Sequence, residues 1–152
     1  MFILANYLYM NNLMFNNINC DKSNRGTCLT YLKSINEVLV NNSIFLNINS
    51  LALNSALYFL NNKKVTIINS EFSNLTNKQE NNNGFLRFEY DLFYRQNSIF
   101  FIDHCNFTNN IAFNGPSIYI DSIINFDATI SNCLFTNNTS LGFGGTIYSK
   151  YS

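Results

Sequence analysis

Charge is scarce in this chain. Only 12% of its residues are Asp, Glu, Lys or Arg, and nine basic residues balance nine acidic ones. A net charge of zero, with no basic cluster beyond Lys63-Lys64, argues against nucleic acid, whose binding needs several phosphate contacts from a positive patch. No window reaches the roughly 18 consecutive apolar residues of a membrane-spanning helix. Histidine occurs once, at His104, and the four cysteines lack the C-x-x-C spacing of a zinc site. No stretch of helical length carries a 3.6-residue apolar period. Neither a metal nor a cofactor is expected.

What is present is apolar residues, at 47%, and asparagine, at thirty of 152 residues. The apolar content is enough for one domain with a core rather than a disordered tail. A genome rich in A and T codons inflates Asn, Ile, Phe, Tyr and Lys together. Asparagine also tolerates left-handed backbone and bonds its own main chain in turns. Five Asn-x-Ser/Thr sequons begin at Asn41, Asn74, Asn106, Asn137 and Asn138, about the number this composition produces by chance.

A repeat dominates the chain. Phe15, Phe45, Phe72, Phe107 and Phe135 recur at steps of 30, 27, 35 and 28 residues. Each is followed two positions on by Asn17, Asn47, Asn74, Asn109 or Asn137. Three positions before each stands Asn12, Asn42, Asn69, His104 or Asn132. Two positions before the last four stands Ser43, Ser70, Cys105 or Cys133, and five before them Val40, Ile67, Ile102 or Ile130. A second element follows each Phe: Ala56-Leu57-Tyr58 aligns with Ser117-Ile118-Tyr119 and Thr146-Ile147-Tyr148, and Gly84 to Phe88 is a weaker copy. The long step from Phe72 to Phe107 is explained by polar insertions at 78–83 and 91–97.

The units contain short stretches rich in Ile, Val, Thr, Phe and Tyr, such as Lys64 to Ile68 and Asp127 to Ser131, parted by Asn, Ser and Gly. From Ile to the Ser/Cys column is three steps, which breaks strand alternation; a corner lets both residues point inward. Three short strands and three corners in about 28 residues make one turn of a β-solenoid whose turns pair in parallel about 4.8 Å apart. The expected fold is all-β, a parallel β-helix of about five coils of 27–30 residues with one longer insertion. The Phe column forms its core ladder, the Asn column after it a corner ladder, and Cys105 and Cys133 buried thiols in the small-residue column. The apolar opening, Met1 to Met10, lacks a basic start and a cleavage pattern, so it reads as strand rather than signal peptide. No capping element is evident, so residues 1–152 read as a single segment of a larger solenoid.

Phe107-Thr-Asn-Asn110 and Phe135-Thr-Asn-Asn138 match F-x-x-N, and Gly144-Gly145-Thr146-Ile147 nearly matches G-G-A-I. This resembles the repeats of the chlamydial polymorphic outer membrane proteins and of pectin-lyase-like surface proteins. The sharp motifs cover residues 102 to 148; Ile18, Ile48 and Leu75 stand where the motif has Asn. The resemblance implies right-handed coiling and a secreted or cell-surface location. It also implies a non-enzymatic structural or adhesion-like role, with further coils of the same chain and a cell-surface protein or glycan as partners.

Pectin-lyase-like folds are often carbohydrate-active enzymes, so the alternative is a remnant of one. Hydrolysis needs carboxylates converging on one cleft, and the acids here include no paired-aspartate motif. The best charged cluster is Arg87, Glu89, Asp91 and Arg95. It reads either as a solvated rim laced with ion pairs or as a binding site. Asp103-His104-Cys105 invites a nucleophile reading, but Asn fills the His104 slot in every other copy, which makes it a corner position. Cys20 and Cys28 flank a polar segment and could pair across it. The tyrosine column at Tyr58, Tyr119 and Tyr148 reads either as a sugar-stacking stripe or as ladder packing between coils.

Overall fold

The computed structural model describes residues 2–3, 5–21, 28–51, 56–80, 84–91, 97–122 and 126–151. Alternation sets each strand. In Glu37-Val38-Leu39-Val40, the valines are buried and the residues between them face out. Three such strands recur per coil and build three parallel sheets. Sheet A stacks β1 (Phe2–Ile3), β4 (Thr30–Lys33), β7 (Leu57–Leu60), β10 (Leu86–Tyr90), β14 (Ile118–Ser122) and β18 (Ile147–Tyr151). Sheet B stacks β2 (Tyr7–Asn11), β5 (Glu37–Asn41), β8 (Lys64–Ile68), β11 (Ser98–Asp103) and β15 (Phe126–Ser131). Sheet C stacks β3 (Met14–Cys20), β6 (Ile44–Ser50) and β9 (Glu71–Asn77). Above them its strands are split into β12 (Asn106–Thr108) with β13 (Ile111–Ala112), and β16 (Leu134–Thr136) with β17 (Thr139–Ser140). Every pairing is parallel and joins one coil to the next, as in Phe72 with Phe107 and Phe107 with Phe135. The chain is therefore a parallel β-solenoid, four turn-to-turn steps separating five levels of sheet B.

Corners are made by left-handed residues. Asn12, Asn42, Asn69, His104 and Asn132 have φ between 47° and 55° at the B-to-C corner. Asn17, Asn47, Asn74, Asn109 and Asn137 have φ between 53° and 56° inside sheet C. An L-residue pays for this conformation except where a short polar side chain bonds locally, which is why asparagine fills these columns. The side chains also bond from coil to coil: Nδ2 of Asn47, Asn74 and Asn109 donates to Oδ1 of Asn16, Asn47 and Asn74 at 3.2, 3.1 and 3.1 Å. Between sheets C and A the chains come close enough that a Cβ on Gly84 would run into the carbonyl oxygen of Gly115.

The core is a set of ladders. The rings of Phe15, Phe45, Phe72, Phe107 and Phe135 follow one another at 5.1, 4.8, 4.9 and 4.9 Å, each nearly parallel to the next. Phe45, Phe72 and Phe107 are fully buried, whereas Phe15 and Phe135, on the first and fifth levels, are half-buried. Ser43, Ser70 and Cys105 form the small column, their side chains turned back to the carbonyls of Asn41, Ile68 and Asp103. Cys105 and Cys133 are free thiols, and burial pushes the Cys105 thiol up to about 12. Cys20 and Cys28 form a disulfide.

The F-x-x-N asparagine does something different from its left-handed neighbour. Asn110 is fully buried, accepts the Leu75 N–H at 3.0 Å and donates to the Phe72 carbonyl at 2.9 Å. Asn62 does the same at the A-to-B corner, accepting the Ile35 N–H at 2.9 Å and donating to the Leu32 carbonyl at 2.8 Å. Each satisfies main-chain groups that a corner takes out of the ladder.

Candidate functional site

Strand alternation turns alternate side chains of sheet A outward, and the in-register stack assembles them into two columns. The first runs Tyr31, Tyr58, Arg87, Tyr119, Tyr148. The second runs Lys33, Leu60, Glu89, Asp121, Lys150. Arg87 therefore takes the place of a tyrosine. Its guanidinium carbon lies 4.8 Å from the Tyr58 ring centroid and 5.7 Å from that of Tyr119, cation–π contacts on both sides. Tyr31 packs on Tyr58 at 5.0 Å and Tyr119 on Tyr148 at 5.4 Å.

Arg87, Glu89, Asp121 and Lys150 are engaged with neighbours on this face. Arg87 donates to Glu89 at 2.6 Å, and the Tyr58 hydroxyl donates to the same carboxylate oxygen at 2.6 Å. The Tyr119 hydroxyl donates to Asp121 at 3.3 Å, and Lys150 lies 3.8 Å from that carboxylate. Asp91 lies just past β10, where its carboxylate accepts from the Asn61 side chain at 2.8 Å and its N–H donates back to it at 3.0 Å. Burial, and then the neighbouring carboxylate, hold both phenols protonated: Tyr58 is raised far above its ordinary range and Tyr119 is pushed up to about 12. Arg87, Glu89 and Asp91 are thus brought to one region; Arg95 lies outside the described residues.

The stacking bears on what the tyrosines can do. A sugar ring packs on an exposed aromatic face. Here Tyr119 stacks on Tyr148, Tyr31 packs tilted on Tyr58, and Arg87 lies over the inner faces of the middle two. Coil-to-coil packing thus engages every tyrosine of the column.

Asp121 is the residue that grouping neighbours in sequence overlooks. It is the register partner of Glu89 one coil on, 32 positions away. Matching Gly84–Phe88 to the copies that end in Tyr119 set Phe88 opposite that tyrosine; the structure moves this register by one residue, pairing Arg87 with Tyr119 and so bringing Glu89 opposite Asp121. On the opposite side of the B-to-C corner, Asp103 accepts from Ser131 at 2.7 Å and Asn132 at 2.9 Å, and His104 Nδ1 lies 2.6 Å away. These bonds hold the Asp103 carboxyl down at about 2, Ser131 contributing most. His104 is exposed at a left-handed corner while Cys105 points into the core. The three therefore do not converge as a nucleophile, base and orienter would.

Among the described residues no group of three or more His, Cys, Asp or Glu is placed to hold a metal ion. No helix among them is long and apolar enough to cross a membrane. The chain matches no protein-family model, no curated protein and no solved structure.

Proposed function

We propose that this chain is a right-handed β-helical module of the kind found in polymorphic outer membrane and pectin-lyase-like surface proteins, secreted or held at the cell surface, with a structural and adhesion-like role. The observation that carries this reading is the mutual engagement of the sheet A side chains. Arg87 and Glu89 are tied to each other and to Tyr58, so the most charged region serves coil stacking. The Cys20–Cys28 disulfide supports an oxidising compartment, where such bonds persist. The F-x-x-N asparagines at 110 and 138 support the family resemblance, because their side-chain bonds to the main chain of neighbouring coils give that motif a structural purpose. Its partners would be other coils of the same kind and a protein or glycan of an opposing surface.

One observation favours a second reading. Glu89 and Asp121 are outward carboxylates on adjacent coils, and glycoside hydrolysis uses two carboxylates across one bond. Incubating the protein with a panel of acidic and neutral polysaccharides, and measuring new reducing ends and unsaturated uronides, separates the two. The surface-module reading expects no product above that of boiled protein, together with saturable retention of protein-coated beads on cells or immobilised glycans. Product formation that disappears in Glu89→Gln and Asp121→Asn would replace it with the enzyme reading.

A further inference from the structure

The outer face of sheet B differs from that of sheet A: its apolar side chains are exposed. Tyr7, Tyr9, Ile99 and Phe101 are 59%, 62%, 47% and 36% exposed. In-register stacking sets its outward residues in three columns. Through the first four levels one reads Tyr7, Glu37, Lys64, Ile99, the next Tyr9, Leu39, Thr66, Phe101, and the third Asn11, Asn41, Ile68, Asp103; the fifth level adds Asp127, Thr129 and Ser131. An open depression of about 320 Å³ runs along the same levels, lined by Tyr7, Asn36, Glu37, Lys63, Lys64 and Ile99 among others.

Over these four levels the first column reads the same in both directions: apolar, charged, oppositely charged, apolar. A two-fold axis parallel to the strands, passing between the levels of Glu37 and Lys64, reverses the levels of a second copy and keeps each column facing its counterpart. Tyr7 then meets Ile99, Glu37 meets Lys64, and Tyr9 meets Phe101 across the interface. The Glu37–Lys64 pair within one copy, at 2.9 Å, becomes half of a quartet of alternating charges. Isologous contacts of this kind need a self-complementary patch, and opposite order along a column is how a stack of parallel strands supplies one.

We propose that the outer face of sheet B is a docking surface for a second copy of this chain, the two solenoids lying antiparallel and face to face. Five-residue strands at about 3.3 Å per residue and four levels about 4.8 Å apart give a patch of ~300 Å² per copy before side chains are counted. That is below the standard size of specific interfaces, so the association is weak and transient, and the dimer is expected only at high protein concentration. The position of a coil in the stack therefore carries information: the same residues in another order would repel or mismatch.

Sedimentation velocity of the full chain between about 1 μM and 1 mM tests this. The wild type should pass from monomer to dimer across the range. Glu37→Lys places four cations at the centre and should keep the protein monomeric, as should Phe101→Ser, with unchanged circular dichroism. Glu37→Lys combined with Lys64→Glu restores the alternation and should restore the dimer. A wild type that stays monomeric at the highest concentration overturns the proposal and leaves the face to a different occupant. A dimer indifferent to the single charge reversal, or a double exchange that fails to recover it, also overturns it, since association would then run through another surface.

Discussion

Asn138 stands one coil above Asn110, and its side-chain oxygen accepts the Asn110 N–H at 3.0 Å while its amide donates to the Phe107 carbonyl at 2.9 Å. Asn110 repeats both bonds one coil below, to Leu75 and Phe72. An asparagine at this position thus stitches two coils together where sheet C is interrupted. Replacing Asn110 by Leu leaves a buried N–H and a buried carbonyl unpaired, at about 1–3 kcal/mol for each group. Urea unfolding should show a loss of about 2–6 kcal/mol, and a smaller loss for Asn138→Leu, which lies on the half-exposed fifth level.

The phenylalanine ladder predicts a gradient along the column. Phe72→Ala removes a fully buried ring that has a neighbour on both sides and should cost about 3–5 kcal/mol. Phe15→Ala removes a half-buried ring with one neighbour in the column and should cost clearly less, when both are measured by the same denaturation midpoint.

Left-handed corners distinguish side chains by shape. Asn42 has φ 47° and is exposed. Asn42→Val should destabilise by about 1–3 kcal/mol, because a β-branched residue resists this region, while Asn42→Gly should change stability far less. His104→Asn restores the residue of the other copies and should leave the thermal midpoint unchanged or raised.

Asp103 should contribute to the acid limb of the stability curve. Its carboxyl titrates at about 2 in the fold, held down by bonds from Ser131, His104 and Asn132, and near 3.9 in an unfolded chain. A depressed carboxyl stabilises the fold above the unfolded value, and that contribution is lost as pH falls from about 4 through 2. Carboxyl-carbon NMR should find the Asp103 midpoint near 2, moving upward in Ser131→Ala. The stability of Asp103→Asn should depend less on pH over that interval.

The cysteines should divide by chemistry. Cys105 is fully buried, with its thiol raised to about 12, and Cys133 is raised in the same direction by burial. Iodoacetamide at pH 8 should leave Cys105 unmodified until the protein unfolds and react with the partly buried Cys133 more slowly than with an exposed thiol. Reduction of Cys20–Cys28 should lower stability by about 2–3 kcal/mol, the loop-closure value for eight intervening steps.

The solenoid was legible because its period lies in residues that must repeat: Phe in the core and Asn at each left-handed corner. Both are columns, and columns survive loops of unequal length. What the reading of single motifs missed was contact across coils. Asp121 meets Glu89 at a distance of 32 positions, and the tyrosine column is interrupted by Arg87, whose packing between two rings is invisible without the register. The buried work of Asn62 was hidden for another reason. Asn61 and Asn62 are adjacent and alike in sequence, yet Asn61 is the left-handed residue and Asn62 the inward one.

The stacking order of the coils is the claim on which the rest depends, and ring-to-ring nuclear Overhauser contacts among labelled phenylalanines test it most directly. Contacts of Phe45 with Phe72 and of Phe72 with Phe107, at centroid distances of 4.8 and 4.9 Å, are predicted. None is predicted between Phe45 and Phe107, which have Phe72 between them. Absence of the two consecutive contacts, or a strong contact skipping a level, would contradict the parallel solenoid.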